Sequence, residues 1–498
     1  LALVPGLRAG EAADPSPWLA PTPAAELRLN DLARTAQRWP GTPYAALAAQ
    51  PWAAPLHQGI ALLGDSGPVG AATLALLPTL RAAAMDVDTG PSVRVAVIGA
   101  AQPIDALLGA FATPAAARAG ADGIWMWESS VISRHGDAAV LRWSARDDGG
   151  VIAAARPGPA RPAFDAAADL ELRVDGDRLL PIVHEAMAMG GAFGWAQLRG
   201  DGSHLATSLQ LDAIGVRERT RLTPAPAVAA LLRAARERLA TPIDRLRTLP
   251  ADTLCALVAR HDAALMQQML ALPEVAAQAA QADALFAQFG LPPWREIITG
   301  IDGDSLLLVQ EGMPFPTATV VLPLRRDVAE AVIAAADRHG FQAQGGDRTR
   351  LFGPLFAQVG IRDAGERVRL VLTTRPDGID AALAFTPGFA EHAAVRAALA
   401  ELPAGALVAG VSRSDALWRT IGTLINTGLA FAGKPVPTLP QDLGAAGRHG
   451  FCAAVIEADG ALRLDGGGLI GGPMSGYLLL CSAAGAFVGA QEIGRAHV

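Results

Sequence analysis

Leu249–Leu265 reads LPADTLCALVARHDAAL, and Leu402–Trp418 reads LPAGALVAGVSRSDALW. The two align without a gap at an offset of 153 residues, and nine of the seventeen positions are identical. The shared positions are the Leu-Pro-Ala start, Leu254/Leu407, Ala256/Ala409, Val258/Val411, Arg260/Arg413, Asp262/Asp415 and Ala263/Ala416. A repeat of this length is a duplicated supersecondary unit, not a short solenoid period. Thr253 to Ala259 is mostly apolar and reads as a buried strand. Pro250 and Pro403 precede it, where a missing N–H does no harm. After Asp262 and Asp415 comes a helical pattern, and an Asp at that junction can accept a backbone N–H from the first turn. It also places negative charge at the positive end of the helix dipole. The unit therefore reads as strand, Asp cap, helix.

Looser copies stand at Pro23–Trp39, with Asn30 or Asp31 as cap, at Val93–Phe111 and at Asp169–Val183. Strand pairs turning near Gly136, at Gly200-Asp201-Gly202 and at Asp459-Gly460 follow or flank these units. Asp327 with Glu330 reads as a capping box for a helix over Val328–His339, ended by Gly340. The fold expected is α+β: repeated strand–helix–hairpin units, mainly antiparallel sheets, with helices packed on one face.

At 498 residues the chain is too long for one core. The expected divisions are 1–14, a signal-peptide remnant; 15–160, an N-terminal α+β region; 161–245, a second α+β unit; 246–400, the central repeat copy; 401–470, the C-terminal copy; 471–491, an apolar tail or truncated membrane anchor; and 492–498. The opening LALVPGLRAGEAA carries an apolar run and small-residue sites that fit export. An ordinary frayed terminus is the alternative. Gly476–Ala490 is apolar but shorter than the ~20 residues of a spanning helix. Glu492–Val498 (EIGRAHV) resembles an in-frame translation of common sequencing-adapter DNA, and we read it as an artefact.

An apolar fraction of 51% with 18% charged residues describes a folded chain. A net charge of −7 without a basic run argues against nucleic-acid binding, which needs a positive face. Cys255, Cys452 and Cys481 lack metal-ligand spacing. They read as buried thiols, with a Cys255–Cys452 disulfide as the alternative in an oxidising compartment. The histidines are scattered, and neither a metal nor another cofactor is expected.

Several motifs fail on inspection. Gly64-Asp65-Ser66-Gly67-Pro68 lacks the second glycine of a serine-protease loop. Gly428-x4-Gly433-Lys434 has Pro435 where a phosphate-binding loop needs a magnesium-binding hydroxyl. Arg199-Gly200-Asp201 matches an integrin-type tripeptide, but Gly200-Asp201-Gly202 is what a hairpin turn requires. Two constellations remain. Arg260 and Asp262, with Arg413 and Asp415, stand at equivalent strand–helix junctions, and paired copies could bring them to one cleft as an anion or acid–base site. Helix capping and surface charge are the plainer account. Trp125 and Trp127 alternate on one strand, with Trp143 on the next, and could stack a glycan or peptide. Core burial is the plainer account here too.

The LPADTL…R-x-D opening and the GIDGDSLLLV…PTATVVLPL hairpin resemble exported bacterial families of unknown function with an LPADT-type start. The resemblance spans Leu249–Leu464. It implies extracytoplasmic residence and supplies no catalytic residue. The function expected is a non-catalytic binding or envelope-scaffold role. The alternatives are a hydrolase using the Arg/Asp pair and a carrier of an apolar ligand, with membrane association through the C-terminal apolar segment.

Overall fold

The computed structural model describes residues 14–20, 22–49, 67–76, 79–88, 92–111, 124–127, 130–135, 138–144, 164–165, 167–179, 202–240, 243–312, 316–343, 348–352, 357–365, 367–431 and 449–469. Gly64–Ser66, Arg199–Asp201, Lys434, Cys481, Gly476–Ala490 and both chain ends lie outside them. The described residues divide into two units, the first ending at Ala225 and the second beginning at Pro226.

The first unit opens with β1 (Ala25–Leu29) and α1 (Leu32–Arg38). Asp31 caps α1, its Oδ1 accepting from Arg34 N at 2.9 Å. Then come α2 (Pro43–Ala48), α3 (Pro68–Leu76), β2 (Ala82–Asp88), β3 (Ser92–Ile98) and α4 (Ala101–Phe111). A meander of β4 (Ile124–Trp127), β5 (Ser130–His135) and β6 (Ala138–Ser144) follows, then β7 (Leu170–Asp175), β8 (His204–Asp212) and β9 (Gly215–Thr223). All pairings are antiparallel, in the order β4-β5-β6-β3-β2-β1-β7-β8-β9. The expected division at 160 therefore falls within one sheet, because β7 returns to pair with β1.

At that junction Glu26-Leu27-Arg28 runs antiparallel to Glu171-Leu172-Arg173, with Leu27 opposite Leu172. Glu26 thus faces Arg173 across the strands, and Arg28 faces Glu171. Glu26, Arg28 and Glu171 are buried at 3%, 2% and 1% exposure. Burying these three charges is tolerable only because opposite signs alternate and bond. Arg28 Nε donates to Glu26 Oε1 at 2.8 Å, and Glu171 Oε1 accepts from Asp165 N at 2.8 Å.

The second unit starts with α5 (Pro226–Ala235) and α6 (Asp244–Arg247), then β10 (Thr253–His261), α7 (Ala263–Leu270), α8 (Pro273–Gln288) and α9 (Trp294–Gly300). The hairpin β11 (Gly303–Gln310) and β12 (Thr317–Leu324) leads to α10 (Arg326–Arg338). Next are β13 (Gln342–Ala343), β14 (Thr349–Phe352), β15 (Ala357–Ala364), β16 (Arg367–Thr373), α11 (Gly378–Leu383) and α12 (Ala393–Glu401). The unit closes with β17 (Val408–Ser412), α13 (Ser414–Phe431), β18 (Gly450–Ile456) and β19 (Leu462–Gly468). The antiparallel order is β13-β14-β15-β16-β12-β11-β10-β17-β18-β19. No strand separates the regions expected at 246–400 and 401–470, since β17 pairs directly with β10.

The two units share one plan. A central strand is followed by helices and a hairpin, then by a helix and a meander whose last strand joins that hairpin. A second central strand pairs back to the first and continues into its own hairpin. The protein is α+β with antiparallel sheets, and the helices of the second unit divide between the two faces. α10 packs Val328, Ala329 and Ile333 on Val359, Ile361 and Leu370. α11 lies over the opposite face, where a Cβ added to Gly360 would sit 2.6 Å from Ile379 Cδ1. Strand alternation makes both faces apolar here: Leu254, Val258, Leu308 and Val371 are all fully buried on the α11 side. α10 begins two residues earlier than the capping-box reading requires. Arg325 occupies the N-cap, and Asp327 lies in the first turn, bonded to Arg325 Nε at 2.6 Å.

Candidate functional site

β10 and β17 are neighbours, so the repeated segments do meet, but they run antiparallel. Leu257 lies opposite Gly410, its own counterpart 153 residues on. Arg260 N donates to Leu407 O at 2.8 Å, and Arg413 N donates to Leu254 O at 2.8 Å. The two Arg-x-Asp junctions therefore sit at opposite ends of the strand pair, about 20 Å apart at ~3.3 Å per residue. The common cleft expected for Arg260, Asp262, Arg413 and Asp415 does not form, because a sequence match carries no strand direction.

Each residue has a local task. Asp262 caps α7, with Oδ1 accepting from Leu265 N at 3.0 Å and Oδ2 from Arg238 Nε at 2.7 Å. Burial opposes its ionisation, but the Leu265 N–H and the Arg238 guanidinium outweigh it and hold the carboxyl below the usual range. Asp415 is not a cap. Ser414 already begins α13, and Asp415 pairs with Arg419 along the helix at 3.4 Å. Arg260 Nη1 donates to Asp304 Oδ1 at 3.0 Å. Arg413 Nη1 reaches Glu311 Oε1 at 3.2 Å and Ala251 O at 3.3 Å. Beside Arg260, His261 Nε2 pairs with the buried Ser305 Oγ at 2.8 Å, tying the ends of β10 and β11.

The disulfide alternative also fails on register. Cys255 stands on β10 and Cys452 on β18, with β17 between them. Two interstrand steps put their Cα atoms ~9.6 Å apart, beyond the ~7 Å a disulfide spans. Both are free thiols, and burial pushes Cys255 up to about 11. The tryptophans stand in one region of the first sheet: Trp125 opposite Ile132, and Trp127 and Trp143 both opposite Ser130.

The feature that sequence reading did not locate is a groove in the second unit between α10 and the sheet. It encloses about 500 Å3, and its walls include Leu291, Val320, Val332, Phe341, Val359 and Leu372. Phe289 and Leu372 stand at its mouth at 54% and 39% exposure. Its few polar groups are engaged within the protein. Thr374 Oγ1 accepts from Ala318 N at 2.9 Å, Gln358 Nε2 donates to Arg375 O at 3.4 Å, Thr373 bonds Thr319 at 2.9 Å, and His339 bonds Phe289 O. The groove continues as a line of opposed residues, one per strand: Val359, Leu372, Val320, Leu307, Leu257, Gly410 and Cys452. Leu307 is 40% exposed in that line, and a second hollow of about 240 Å3 opens beyond it around Leu257, Gly410 and Cys452. The signal available in the sequence was that Leu257, Leu307, Val320 and Leu372 each sit in a run of consecutive apolar residues, Ala256–Val258, Leu306–Val309, Val320–Leu322 and Leu370–Leu372. Such strands do not reveal which face a helix leaves open.

No helix of the described residues is long and apolar enough to cross a membrane. No protein-family model matches the chain, and no curated protein sequence matches it. Two solved structures, crystal forms I and III of TP0453, align with 72% of this chain and 94% of theirs, at 7% and 8% identity. Their TM-scores are 0.19 and 0.20, a likeness too low to carry an argument about fold or role.

Proposed function

We propose that this chain is a non-catalytic binding protein of the bacterial envelope that carries an apolar ligand in the groove between α10 and the sheet of its second unit. The observation that carries the reading is the groove's lining. Aliphatic and aromatic side chains form the walls, and the polar groups within it are already bonded to the protein. A ligand that needs no hydrogen bonds suits such walls. The volume lies within the ~300–1,000 Å3 of small-molecule sites. Covering Leu372, Phe289 and Leu307 would stabilise the complex by about 25 cal/mol per Å2 of apolar surface removed from water. The line of opposed residues is elongated, which favours an acyl chain over a compact ligand.

Envelope residence belongs to the same proposal and rests on the resemblance of the LPADTL segment and on the apolar opening. So does a duplicated origin of each sheet. In the second unit Leu257 faces its counterpart at an offset of 153 residues. In the first, Leu27 faces Leu172 within two Glu-Leu-Arg segments 145 residues apart. The test is native mass spectrometry of the full chain after incubation with palmitic acid. One added palmitate per chain, surviving gentle desolvation, is the expected result. A clean apo mass at saturating palmitate removes the carrier reading.

A further inference from the structure

We infer that the second unit holds a separate site for a phosphate monoester, at the end of the sheet where β10 stops, between Arg245 and Arg369. A cavity of about 680 Å3 opens there, lined by Arg245, Asp304, Pro323, Arg367, Arg369 and Phe385 among others. Four guanidiniums and two carboxylates gather in and beside it. Arg260 bonds the Asp304 carboxylate at 3.0 Å, and Arg367 bonds Asp302 at 2.7 Å. That leaves Arg245 and Arg369 without a carboxylate of their own. Half-buried Arg245 donates to the backbone carbonyl of Asp304 at 3.2 Å. The side chain of exposed Arg369, opposite Pro323 on one side and Arg362 on the other, makes no hydrogen bond or ion pair among the described residues.

Burial makes the cationic form of Arg245 less favourable, Asp304 opposes this, and the neighbouring Arg369 charge adds a smaller effect in the direction of burial. Two guanidiniums facing one space are eased by an anion, and a phosphate monoester carries a charge of about −2 at neutral pH. The planar fork of Arg suits phosphate oxygens. Leu383 and Phe385 give an apolar wall for the organic part. Arg369 is three residues from Leu372 on β16 and so points to the opposite face from the groove. The inference therefore stands independently of the carrier reading.

The experiment is calorimetric titration of the full chain with phenyl phosphate and with inorganic phosphate, alongside co-sedimentation with phosphatidylcholine vesicles with and without phosphatidic acid. Saturable binding of phenyl phosphate is expected, weakened roughly tenfold or more by Arg369→Ala and by Arg245→Met. Arg369 is exposed, so its variant should melt with the wild type and separates lost binding from lost folding. Retention on phosphatidic acid vesicles that Arg369→Ala abolishes would identify a membrane-borne headgroup. Binding of the soluble phosphates alone would identify a free monoester. No saturable binding of any probe, or equal binding by wild type and Arg369→Ala, overturns the site.

Discussion

Asp262 shows how a residue that looked chemical turns out to be structural. Its two oxygens are taken by the Leu265 N–H and by Arg238, so Asp262→Ala should cost about 1 kcal/mol of stability through the lost cap. Urea melts of the second unit's transition check this, and an unchanged midpoint would argue against capping. His261 gives a pH dependence. Burial lowers its pKa below the ordinary 6.5, with Asp304 and Asp302 pulling the other way. The unfolded chain then binds the proton more readily than the folded one. The stabilisation is complete above pH 6.5 and is lost as pH falls from there through the folded value. Wild type should weaken between pH 7.5 and pH 5.5 more than His261→Gln does, as read from denaturant midpoints at each pH, values that bracket the ordinary pKa of about 6.5. The cap at Asp262 was legible because an Asp before a helical pattern has a specific partner. The bond to Ser305 was not, because it joins strands 44 residues apart.

At the scale of elements, strand followed by helix could be read at both repeat copies. The alternation and the Asp were enough for β10 with α7; for β17 with α13 the strand and helix follow as read, but Asp415 lies inside the helix and does not cap it. The direction of one strand against the other could not be read, and that alone moved Arg260 and Arg413 to opposite ends. The tight point of the strand pair is Gly410, where an added Cβ would lie 2.7 Å from Cys452 Sγ and 3.2 Å from Ala256 O. Gly410→Ala should therefore destabilise by about 1–3 kcal/mol. Cys452→Ala should recover part of that loss, because it removes the atom in the way. A double-mutant cycle measures the coupling. Strict additivity of the two changes would mean that Gly410 is not packed against the Cys452 sulfur.

For the whole molecule, the antiparallel α+β class followed from the hairpin signals and the mixed periodicities. Two units of the same plan did not follow, because β7 and β17 each cross back to a strand laid down more than a hundred residues earlier. Glu26-Leu27-Arg28 and Glu171-Leu172-Arg173 could have shown it, but charged residues do not suggest a buried strand. The groove was equally hidden, since it depends on where α10 stops covering an apolar face.

The central claim is that this face takes an acyl chain. The most direct measurement is a fluorescence titration with dansylated undecanoic acid, comparing wild type, Leu372→Asp and Thr248→Asp. Leu372 lines the groove and is 39% exposed, so an acid there should leave the fold intact. Thr248 is exposed just after α6, and its variant adds the same charge elsewhere. The account predicts saturable binding by wild type and Thr248→Asp, and roughly tenfold or greater weakening by Leu372→Asp. Equal affinity for all three, or no saturable binding by wild type, would contradict it.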